Sequence, residues 1–416
     1  MKKIPQFISA AMLLIKKKIV LLAAVGIIFL FFLSGGFIFR ILAAYFLPIF
    51  YVHSRLKKLF IRDTYRNAFT FFYILLIAAF PVMELLSHAI GLASAKYLLI
   101  VSYDSLPFLL YFFLLLVFFD ILLALNRLLK ITANETIKSR KFRWAAFGII
   151  FFLAAAIVIA GSINYHNIRI NEYRIEIQKK SSALNRLRIV LAADLHLGNM
   201  TAEQFMKDFA DKVNSLNPDI VLLPGDLLEG NRDDADKAEF ERQFRRIKAK
   251  FGVYASPGNH EAYGGEISSD FFSRAHIHML DDSLVVIDQS FSLAGRKLSS
   301  KEKRKSLLEL LRGAPENLPL ILLDHLPAKL ELVSRSPVDI QLSGHTHHGQ
   351  LFPFQFITEL RYPLSWGYNK IGHTHFFVTC GVQGWGPGVR TAGVSEIMLI
   401  DVEFVVSEAK NIPHGS

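Results

Sequence analysis

The sequence contains very little cysteine: Cys380 is the only one among 416 residues. A single cysteine excludes an internal disulfide framework and any zinc site built on several thiolates. We interpret Cys380 as a small buried residue of a folded core. Covalent cross-links therefore say nothing about the compartment in which the chain works.

Charged residues are scarce in the first part of the chain. Residues 19–162 contain nearly all of the long uncharged apolar runs, whereas the remainder has an ordinary globular composition. With 52 % hydrophobic residues, the whole chain is too apolar for a soluble protein of this length. We therefore predict a transmembrane domain at 1–163, a basic linker and first strand at 164–185, a soluble domain at 186–408 and a tail at 409–416.

Four apolar stretches are long enough to cross a bilayer, since a membrane helix needs roughly 20 residues. They lie at 19–39, 68–92, 106–125 and 144–163. A further stretch at 41–52 is too short to span alone, so the predicted number of spans is four or five. Buried helices of a large soluble core would show polar faces at helical spacing, and these runs have almost none. We predict a multi-pass protein of the inner cell membrane, with the lipid bilayer as its partner.

The basic residues predict an orientation. The net charge of +11 comes partly from lysines and arginines clustered after residues 52 and 125, and the positive-inside rule places both clusters in the cytoplasm. The last span then runs outward and leaves the soluble domain extracytoplasmic. With four spans, this orientation puts the lysines before residue 19 on the extracytoplasmic side, which the rule disfavours; a fifth span would put them in the cytoplasm. Because the basic clusters flank apolar runs, they favour anionic lipid over nucleic acid, which is not expected as a partner.

From residue 172 onward, short apolar and β-branched runs alternate with amphipathic helices, which is an α/β pattern. Buried strands are predicted at 188–193, 219–224, 252–256, 320–323 and 338–342, each followed closely by a possible metal ligand. Thr201 and Gln204 predict a capping box at the start of one helix. A second helix is predicted at 233–250. The possible ligands are thus expected at one edge of a sheet.

Five short motifs occur in a fixed order: D-L-H at 194–196, G-D at 225–226, G-N-H-E at 258–261, a histidine at 325 and G-H-T-H at 344–347. Their carboxylates, amide oxygen and imidazoles form a ligand set suited to Mn, Fe or Zn rather than Mg or Ca. Residues i and i+2 of an extended segment point the same way, so Asp194 with His196, and His345 with His347, should converge. The glycines at 225, 258 and 344 allow tight turns and close approach of the backbone.

This series of motifs resembles the calcineurin-like metallophosphoesterase superfamily, whose pattern is D-x-H, G-D, G-N-H-[DE], H, G-H-x-H, over about residues 186–405. The resemblance implies that a multi-pass α-helical membrane domain is followed by an α/β four-layer sandwich of two β-sheets flanked by helices. The runs SGHTHHGQLFP and GVQGWGPGVRTAGVSEI further resemble a membrane-anchored bacterial subgroup that includes phosphodiesterases cleaving UDP-2,3-diacylglucosamine. That subgroup reads G-H-T-H-G-G-Q, so His348 departs from its pattern.

The resemblance also implies a role for individual residues. One divalent ion would be held by Asp194, His196, Asp226 and His347, and the other by Asp226, Asn259, His325 and His345. Asp226 would bridge two ions roughly 3.5–4 Å apart, so that both grip one phosphoryl group and a bridging hydroxide attacks in line. His260 would contact the phosphate or protonate the leaving oxygen. Arg390 and Glu396 match the subgroup's C-terminal pattern, which makes Arg390 a candidate substrate contact and Glu396 a candidate structural residue.

The sequence also bears on the substrate. Protein serine/threonine phosphatases of this superfamily carry an Asp-Arg pair after G-D and an arginine before G-N-H-E, whereas this chain reads GDLLEG and SPGNHE. A phosphodiester or pyrophosphate is therefore expected, on a lipid or lipid-linked molecule because the enzyme is anchored. Two alternatives stay open: a broad phosphoesterase merely localised by its anchor, and a non-catalytic membrane receptor or scaffold. UDP-2,3-diacylglucosamine is cleaved on the cytoplasmic side, which conflicts with the predicted orientation, so one of the two expectations must give way.

Overall fold

A computed structural model describes residues 37–59, 61, 63–90, 96–178, 184–198, 201–229, 237–263, 269–298 and 304–405. The predicted first span and the predicted tail lie almost wholly outside these residues. The chain divides into two compact units, one formed by residues 1–79 with 109–154 and the other by residues 80–108 with 155–416. The second unit thus includes the ends of three apolar helices, and the domain boundary expected at residue 163 stays a prediction.

The first part of the chain is helical. Its helices are α1 (Phe37–Leu59), α2 (Arg66–Ile90), α3 (Lys96–Leu129), α4 (Asn134–Lys138) and α5 (Arg140–His166). Among the described residues, three segments are long and apolar enough to cross a membrane, Arg66–Met83, Leu99–Leu129 and Arg140–His166, and they correspond to three of the predicted spans. The short stretch at 41–52 is part of the continuous helix α1. Inside the first unit, Asp120 of α3 forms an ion pair with Arg55 and accepts a 2.5 Å hydrogen bond from Tyr51.

Helix α3 is longer than the predicted span at 106–125. The polar residues Ser102, Asp104 and Ser105 interrupt its apolar run, and Pro107 lies inside it. The helix continues because the serine hydroxyls donate to carbonyls three residues earlier, Ser102 to Leu99 at 2.7 Å and Ser105 to Ser102 at 2.6 Å. These bonds satisfy polar groups locally, so the helix continues where the hydropathy pattern alone indicates an end.

The rest of the chain contains two six-stranded mixed sheets. Their strands are β1 (Arg169–Ile177), β2 (Arg186–Leu191), β3 (Ile220–Pro224), β4 (Val253–Ser256), β5 (Ile277–Met279), β6 (Ser283–Ile287), β7 (Phe291–Gly295), β8 (Leu320–Leu323), β9 (Ile340–Ser343), β10 (Gly367–Ile371), β11 (Thr374–Val378) and β12 (Glu396–Phe404). The strand orders are β1-β12-β2-β3-β4-β5 and β10-β11-β9-β8-β7-β6. Strands β2 to β5 run parallel, as do β7, β8, β9 and β11. All five predicted strands are present.

Seven helices lie among the strands in the described residues, and several of them pack on the outer faces of the two sheets. They are α6 (Glu203–Ser215), α7 (Lys237–Phe244), α8 (Asn259–Tyr263), α9 (Ser269–Arg274), α10 (Leu307–Leu310), α11 (Leu330–Ser334) and α12 (Gln355–Arg361). One buried apolar cluster joins the two sheets and includes Ile189 of β2 and Leu342 of β9. Two others lie under the helices, around Phe209 of α6 and Leu330 of α11. The expected four-layer sandwich is confirmed.

Two local predictions were wrong. The residue before α6 is Ala202 and makes no side-chain cap, while Thr201 Oγ1 instead accepts from Gly198 N at 3.1 Å. Helix α7 ends at Phe244, short of residue 250. The side chain of Asn214 accounts for this end, because its amide donates to Arg246 O at 2.9 Å and accepts from Lys248 N at 2.7 Å. These bonds hold the backbone after Phe244 in a non-helical conformation.

Helix α5 packs closely on the segment 389–391 at Gly161. A Cβ at this position would lie 2.7 Å from Val389 Cγ1 and 2.8 Å from Thr391 Cγ2, both methyl groups of stiff side chains. At Gly148 of the same helix, a Cβ would meet nothing within 4 Å. The two glycines therefore form a matched pair for testing this contact.

We expect Gly161→Ala to destabilise the protein by about 1–3 kcal/mol, because overpacking forces neighbouring side chains to move. Gly148→Ala should leave stability unchanged or raise it, since alanine favours a helix over glycine. Thermal unfolding of the full chain in detergent measures both. A similar shift for the two variants would show that the contact of Gly161 with the segment 389–391 does not contribute to stability.

Candidate metal centre

The candidate ligands follow the carboxyl ends of five strands. Asp194 and His196 follow β2, Asp226 follows β3, Asn259 and His260 follow β4, His325 follows β8, and His345 and His347 follow β9. Parallel strands bring their carboxyl ends to one edge of a sheet, and the two sheets contribute to the same region. Residues separated by up to 151 positions, such as His196 and His347, thus come within 3.1 Å.

The backbone of these ligand segments differs from the expected extended conformation. Asp194, His196 and Asp226 have φ values of 54°, 45° and 54°, and His345 and His347 have 73° and 47°. Left-handed turns after the strands, rather than a pleated strand, make alternate side chains converge. This conformation costs a non-glycine residue about 1–2 kcal/mol. Backbone bonds between motifs offset the cost, such as that from His196 N to Asp226 O at 3.0 Å.

Two glycines allow the motifs to pack against the ligand carboxylates. A Cβ at Gly258 would lie 2.1 Å from Asp226 Oδ1, and one at Gly344 would lie 2.3 Å from Asp194 Oδ2. Real Cβ atoms do not approach an oxygen so closely, so glycine is required at both places. These glycines were expected to let the backbone approach an ion. In the structure they let the backbone approach the carboxylates of the candidate ligands.

The first cluster contains Asp194, His196 and His347, whose ligand atoms lie within 4.8 Å of one another. His347 Nε2 is 3.5 Å from Asp194 Oδ1 and 3.1 Å from His196 Nε2. The second cluster contains Asp226, His325 and His345 under the same limit. Asn259 Oδ1 joins it at 2.8 Å from His345 Nδ1. These two groups contain the residues that the family resemblance assigns to each ion, except that Asp226, assigned to both ions, lies in the second cluster.

The nitrogens of His325 show that the second cluster suits a cation. His325 Nδ1 lies 2.8 Å from the carbonyl oxygen of Pro224, which can only accept, so Nδ1 carries a proton. The buried Nε2 finds no hydrogen-bond partner among the described residues and faces Asp226 Oδ2 at 3.0 Å. A ring nitrogen and a carboxylate oxygen at this distance need a positive charge between them, which a proton on Nε2 supplies in the absence of an ion and a divalent ion would supply when bound.

Comparison with known proteins agrees with this geometry. Residues 187–349 match the family model described as Calcineurin-like phosphoesterase. A transmembrane protein with metallophosphoesterase domain from Danio rerio is 30 % identical over 311 residues, which cover 69 % of this chain and 70 % of that protein. This chain belongs to the calcineurin-like phosphoesterase family.

Two bacterial relatives differ in how much they cover. An uncharacterized metallophosphoesterase of Campylobacter jejuni is 27 % identical over 379 residues, 88 % of this chain and 98 % of that protein. Phosphodiesterase YaeI of Escherichia coli is 35 % identical over 92 residues, 21 % of this chain and 33 % of that protein. The chain is thus a membrane protein and a phosphoesterase hydrolase, as predicted. Its family binds divalent metal ions, and the two clusters described above can hold them.

The pKa values of the two aspartates, Asp194 and Asp226, are shifted in opposite directions. Burial raises the pKa of Asp194 to about 6. Burial alone would do the same to Asp226, but the adjacent imidazoles, that of His325 above all, hold its pKa well below the usual range. Asp226 is therefore firmly ionised at neutral pH, as a ligand shared by two cations must be.

Glu229 is a site residue that the sequence reasoning missed. Its Oε1 lies 2.6 Å from His196 Nδ1 and its Oε2 lies 2.9 Å from His260 Nδ1. A carboxylate can only accept, so both ring nitrogens donate. Burial would raise the pKa of Glu229, but these two hydrogen bonds hold it at about 2. The side chains of His196, Glu229 and His260 also lie close enough together to hold a metal ion. The direct hydrogen bonds from the two imidazoles, however, already satisfy the carboxylate.

Glu261 was quoted with its motif but given no role in the site. It is buried and accepts four backbone N–H groups, from Asp226 at 3.0 Å, Leu227 at 2.5 Å, Leu228 at 3.0 Å and Gly258 at 2.7 Å. The carboxylate therefore ties the G-D loop to the G-N-H-E turn. Its oxygens are committed to these backbone groups, which gives Glu261 a positioning role.

His260 stands beside the clusters at the start of α8. Its Nε2 is 4.0 Å from Asp226 Oδ2, and its backbone N donates to Asp226 Oδ1 at 2.8 Å. The ring of Trp385 lies 6.3 Å away, centroid to centroid. With Nδ1 bonded to Glu229, the Nε2 edge of His260 is directed toward the bridging candidate Asp226, where a phosphoryl group would bind.

The remaining predicted residues lie apart from the clusters. Arg390 has no exposed surface, and its guanidinium donates to the carbonyls of His347, Cys380 and Gln383 at 3.3, 3.0 and 2.7 Å. This geometry favours a positioning role over the predicted substrate contact. Glu396 is fully buried and accepts from Trp366, Thr379 and Cys380, among others, which suits a structural role.

His348, the departure from the subgroup pattern, does not point into the metal centre. Its Nδ1 lies 3.1 Å from Ser365 Oγ, and its Nε2 lies 3.7 Å from a Glu359 carboxylate oxygen. Its φ of 45° explains why glycine is used here in the related pattern.

Proposed function

We propose that this phosphoesterase hydrolyses a phosphodiester or pyrophosphate bond in a lipid or lipid-linked substrate, of which UDP-2,3-diacylglucosamine is one example. The observation that carries the proposal is the contact between the segment 383–393 and the apolar helices of the second unit. Asp104 of α3 accepts from Gly388 N at 3.0 Å, and Asn164 of α5 donates to Arg390 O at 3.0 Å. Arg390 in turn supports His347, so the candidate ligands lie close to residues of the membrane helices.

The two clusters support the ligand sets that the family resemblance implies. Asp194, His196 and His347 would hold one ion, His325, His345 and Asn259 the other, and Asp226 would be shared. Two such ions polarise a phosphoryl group and lower the pKa of a water molecule so that it can attack phosphorus. The protein contributes the fixed positions of its ligands, which Glu229 and Glu261 hold through hydrogen bonds.

His260 would donate a proton to the departing oxygen. Its Nδ1–H bond to Glu229 sets the direction of the ring, so that Nε2 faces the position of the leaving oxygen and an Nε2–H there can serve as the acid. The same carboxylate holds His196, which couples the acid to a metal ligand.

The surroundings favour a diester or anhydride over a monoester. Among the described residues that line the cavity beside the metal centre, none is an arginine, and the ammonium group of Lys212 donates to Ile168 O at 2.7 Å. Arg390, which lies nearby, has its guanidinium committed to carbonyl oxygens. A monoester dianion carries more charge at the reacting phosphate than a diester, and the site offers little to compensate it beyond the ions.

The side of the membrane would decide between lipid classes. The positive-inside argument places the catalytic domain outside the cytoplasm and thereby favours a phospholipid-type diester. UDP-2,3-diacylglucosamine, by contrast, requires a domain that faces the cytoplasm. The multi-pass anchor in the inner membrane belongs to both versions of the proposal.

The test is an assay of the full chain in mixed micelles. We expect kcat/KM to be at least about tenfold higher on phosphatidylglycerol or UDP-2,3-diacylglucosamine than on bis-p-nitrophenyl phosphate, since anchoring raises the effective concentration of a lipid. Hydrolysis of p-nitrophenyl phosphate should be slower than that of the diester. Equal efficiencies on lipid and soluble diesters would instead support a broad phosphoesterase localised by its anchor, and a preference for the monoester would contradict the diester assignment.

A further inference from the structure

A cavity of about 800 Å³ opens beside the metal centre within the second unit. On the catalytic side it is lined by His196 and Glu229. On the opposite side it is lined by Ile100, Tyr103 and Asp104 of α3, with Tyr165 of α5 completing that wall. Both helices contain segments long and apolar enough to cross a membrane. One continuous space thus connects a candidate metal ligand with side chains of the membrane helices.

The wall of this cavity is amphipathic. Ile100, Ile168 and Phe205 supply apolar surface. Polar and charged groups come from Asp104, Gln204, Asp208, Asp211 and Lys212. Tyr103 and Tyr165 have an apolar ring and a polar tip, the combination that is common where protein meets the bilayer surface. A phosphoryl group at the ions would occupy a small part of such a volume, which falls in the range of sites that enclose whole organic ligands.

Hydrogen bonds to α3 and α5 hold the segment 383–388 in this wall. Tyr165 Oη lies 3.3 Å from Gly384 O, and Asp104 Oδ1 accepts from Gly388 N at 3.0 Å. A Cβ at Gly386 would touch the Tyr103 ring at 3.5 Å. The membrane helices therefore fix the position of the segment that carries Trp385, the neighbour of His260. An ionisable residue within an apolar helix usually has such a functional partner.

We propose that this cavity binds the acyl-bearing, non-reacting part of a lipid phosphodiester while its phosphoryl group lies at the metal centre. Ile100 and Tyr103 are then specificity-determining residues, because they contact the lipid and not the reacting bond. The inference rests on the proposed function and names the place where the protein recognises the substrate. A soluble diester makes fewer of these contacts and gains less from the cavity.

Ile100→Trp tests the inference, because the larger side chain obstructs the cavity from the membrane side. Its control is Val101→Trp, since Val101 is the next residue on α3 and is 68 % exposed. Ala202→Trp obstructs the cavity from the catalytic side at an exposed position, which keeps the test valid if Ile100→Trp does not fold. The probes are phosphatidylglycerol and UDP-2,3-diacylglucosamine in dodecyl maltoside micelles, beside bis-p-nitrophenyl phosphate, with metal content measured on each variant.

We expect the obstructing variants to lower the lipid-to-soluble ratio of kcat/KM by about tenfold, mainly through a higher KM for the lipid, with metal content retained. Val101→Trp should keep the ratio of the unaltered protein. The lipid whose ratio falls identifies the source of the acyl chains. If the unaltered protein prefers a lipid but the obstructing variants keep that preference, the cavity proposal alone is overturned. If it prefers neither lipid, the lipid function and the cavity proposal fall together.

Discussion

Asp226→Asn should lower kcat on bis-p-nitrophenyl phosphate by about 1,000-fold or more, roughly 4 kcal/mol of barrier. The substitution removes a negative charge that offsets two dications and leaves His325 Nε2 facing a neutral amide in place of the carboxylate oxygen at 3.0 Å. A neutral amide attracts a bound cation less strongly than a carboxylate does, so metal affinity falls together with turnover. The measurement is steady-state hydrolysis at saturating metal.

The matched control for this variant is Asp270→Asn. Asp270 belongs to α9 and its side chain is 80 % exposed, so the same change of charge there should leave kcat within about twofold, as surface substitutions usually have small effects. A fully active Asp226→Asn protein would refute the role of Asp226 as the shared ligand.

His260→Gln should slow substrates with poor leaving groups by about 100-fold to 10,000-fold, the usual contribution of a general acid. Esters of p-nitrophenol should be slowed much less, because this leaving group departs without a proton. The reason lies in the geometry, since His260 Nδ1 is held by Glu229 at 2.9 Å while its other nitrogen faces Asp226. The measurement compares kcat for phenyl and p-nitrophenyl diesters, together with metal content.

The control for this variant is His373→Gln, at an exposed histidine next to β11. It should alter neither diester. If His260→Gln retains both metals, His260 is not a metal ligand. If the phenyl and p-nitrophenyl diesters are slowed equally, His260 does not act as the acid, and a contact with the phosphate is the role that is left.

Much of this site could be predicted from the sequence because its parts are local. A buried strand followed closely by a ligand, in three of the five cases after a glycine, is a short pattern, and these five patterns predicted the strands and the eight residues that the structure gathers at their ends. The fold followed from the same alternation of strands and helices. The ligand sets, and the role of His260, came from the family resemblance and not from the spacing.

The rest depended on contacts between distant parts of the chain. Glu229 and Glu261 look alike as acidic residues near motifs, and only the hydrogen bonds separate an orienting carboxylate from one committed to backbone N–H groups. The left-handed turn at Asp194 is not visible in a pattern of alternate residues. Hydropathy predicted spans but not that parts of three apolar helices belong to the catalytic unit, since it reports transfer to lipid and not packing partners.

The most direct test of the two-metal account is elemental analysis of the intact protein beside Asp226→Asn. We expect two divalent ions of Mn, Fe or Zn per active chain, and at most one in the variant. Removal of the ions with a chelator should abolish hydrolysis, and their return should restore it. A fully active protein that contains no divalent ion, or an Asp226→Asn protein that keeps two ions and full activity, would contradict the account.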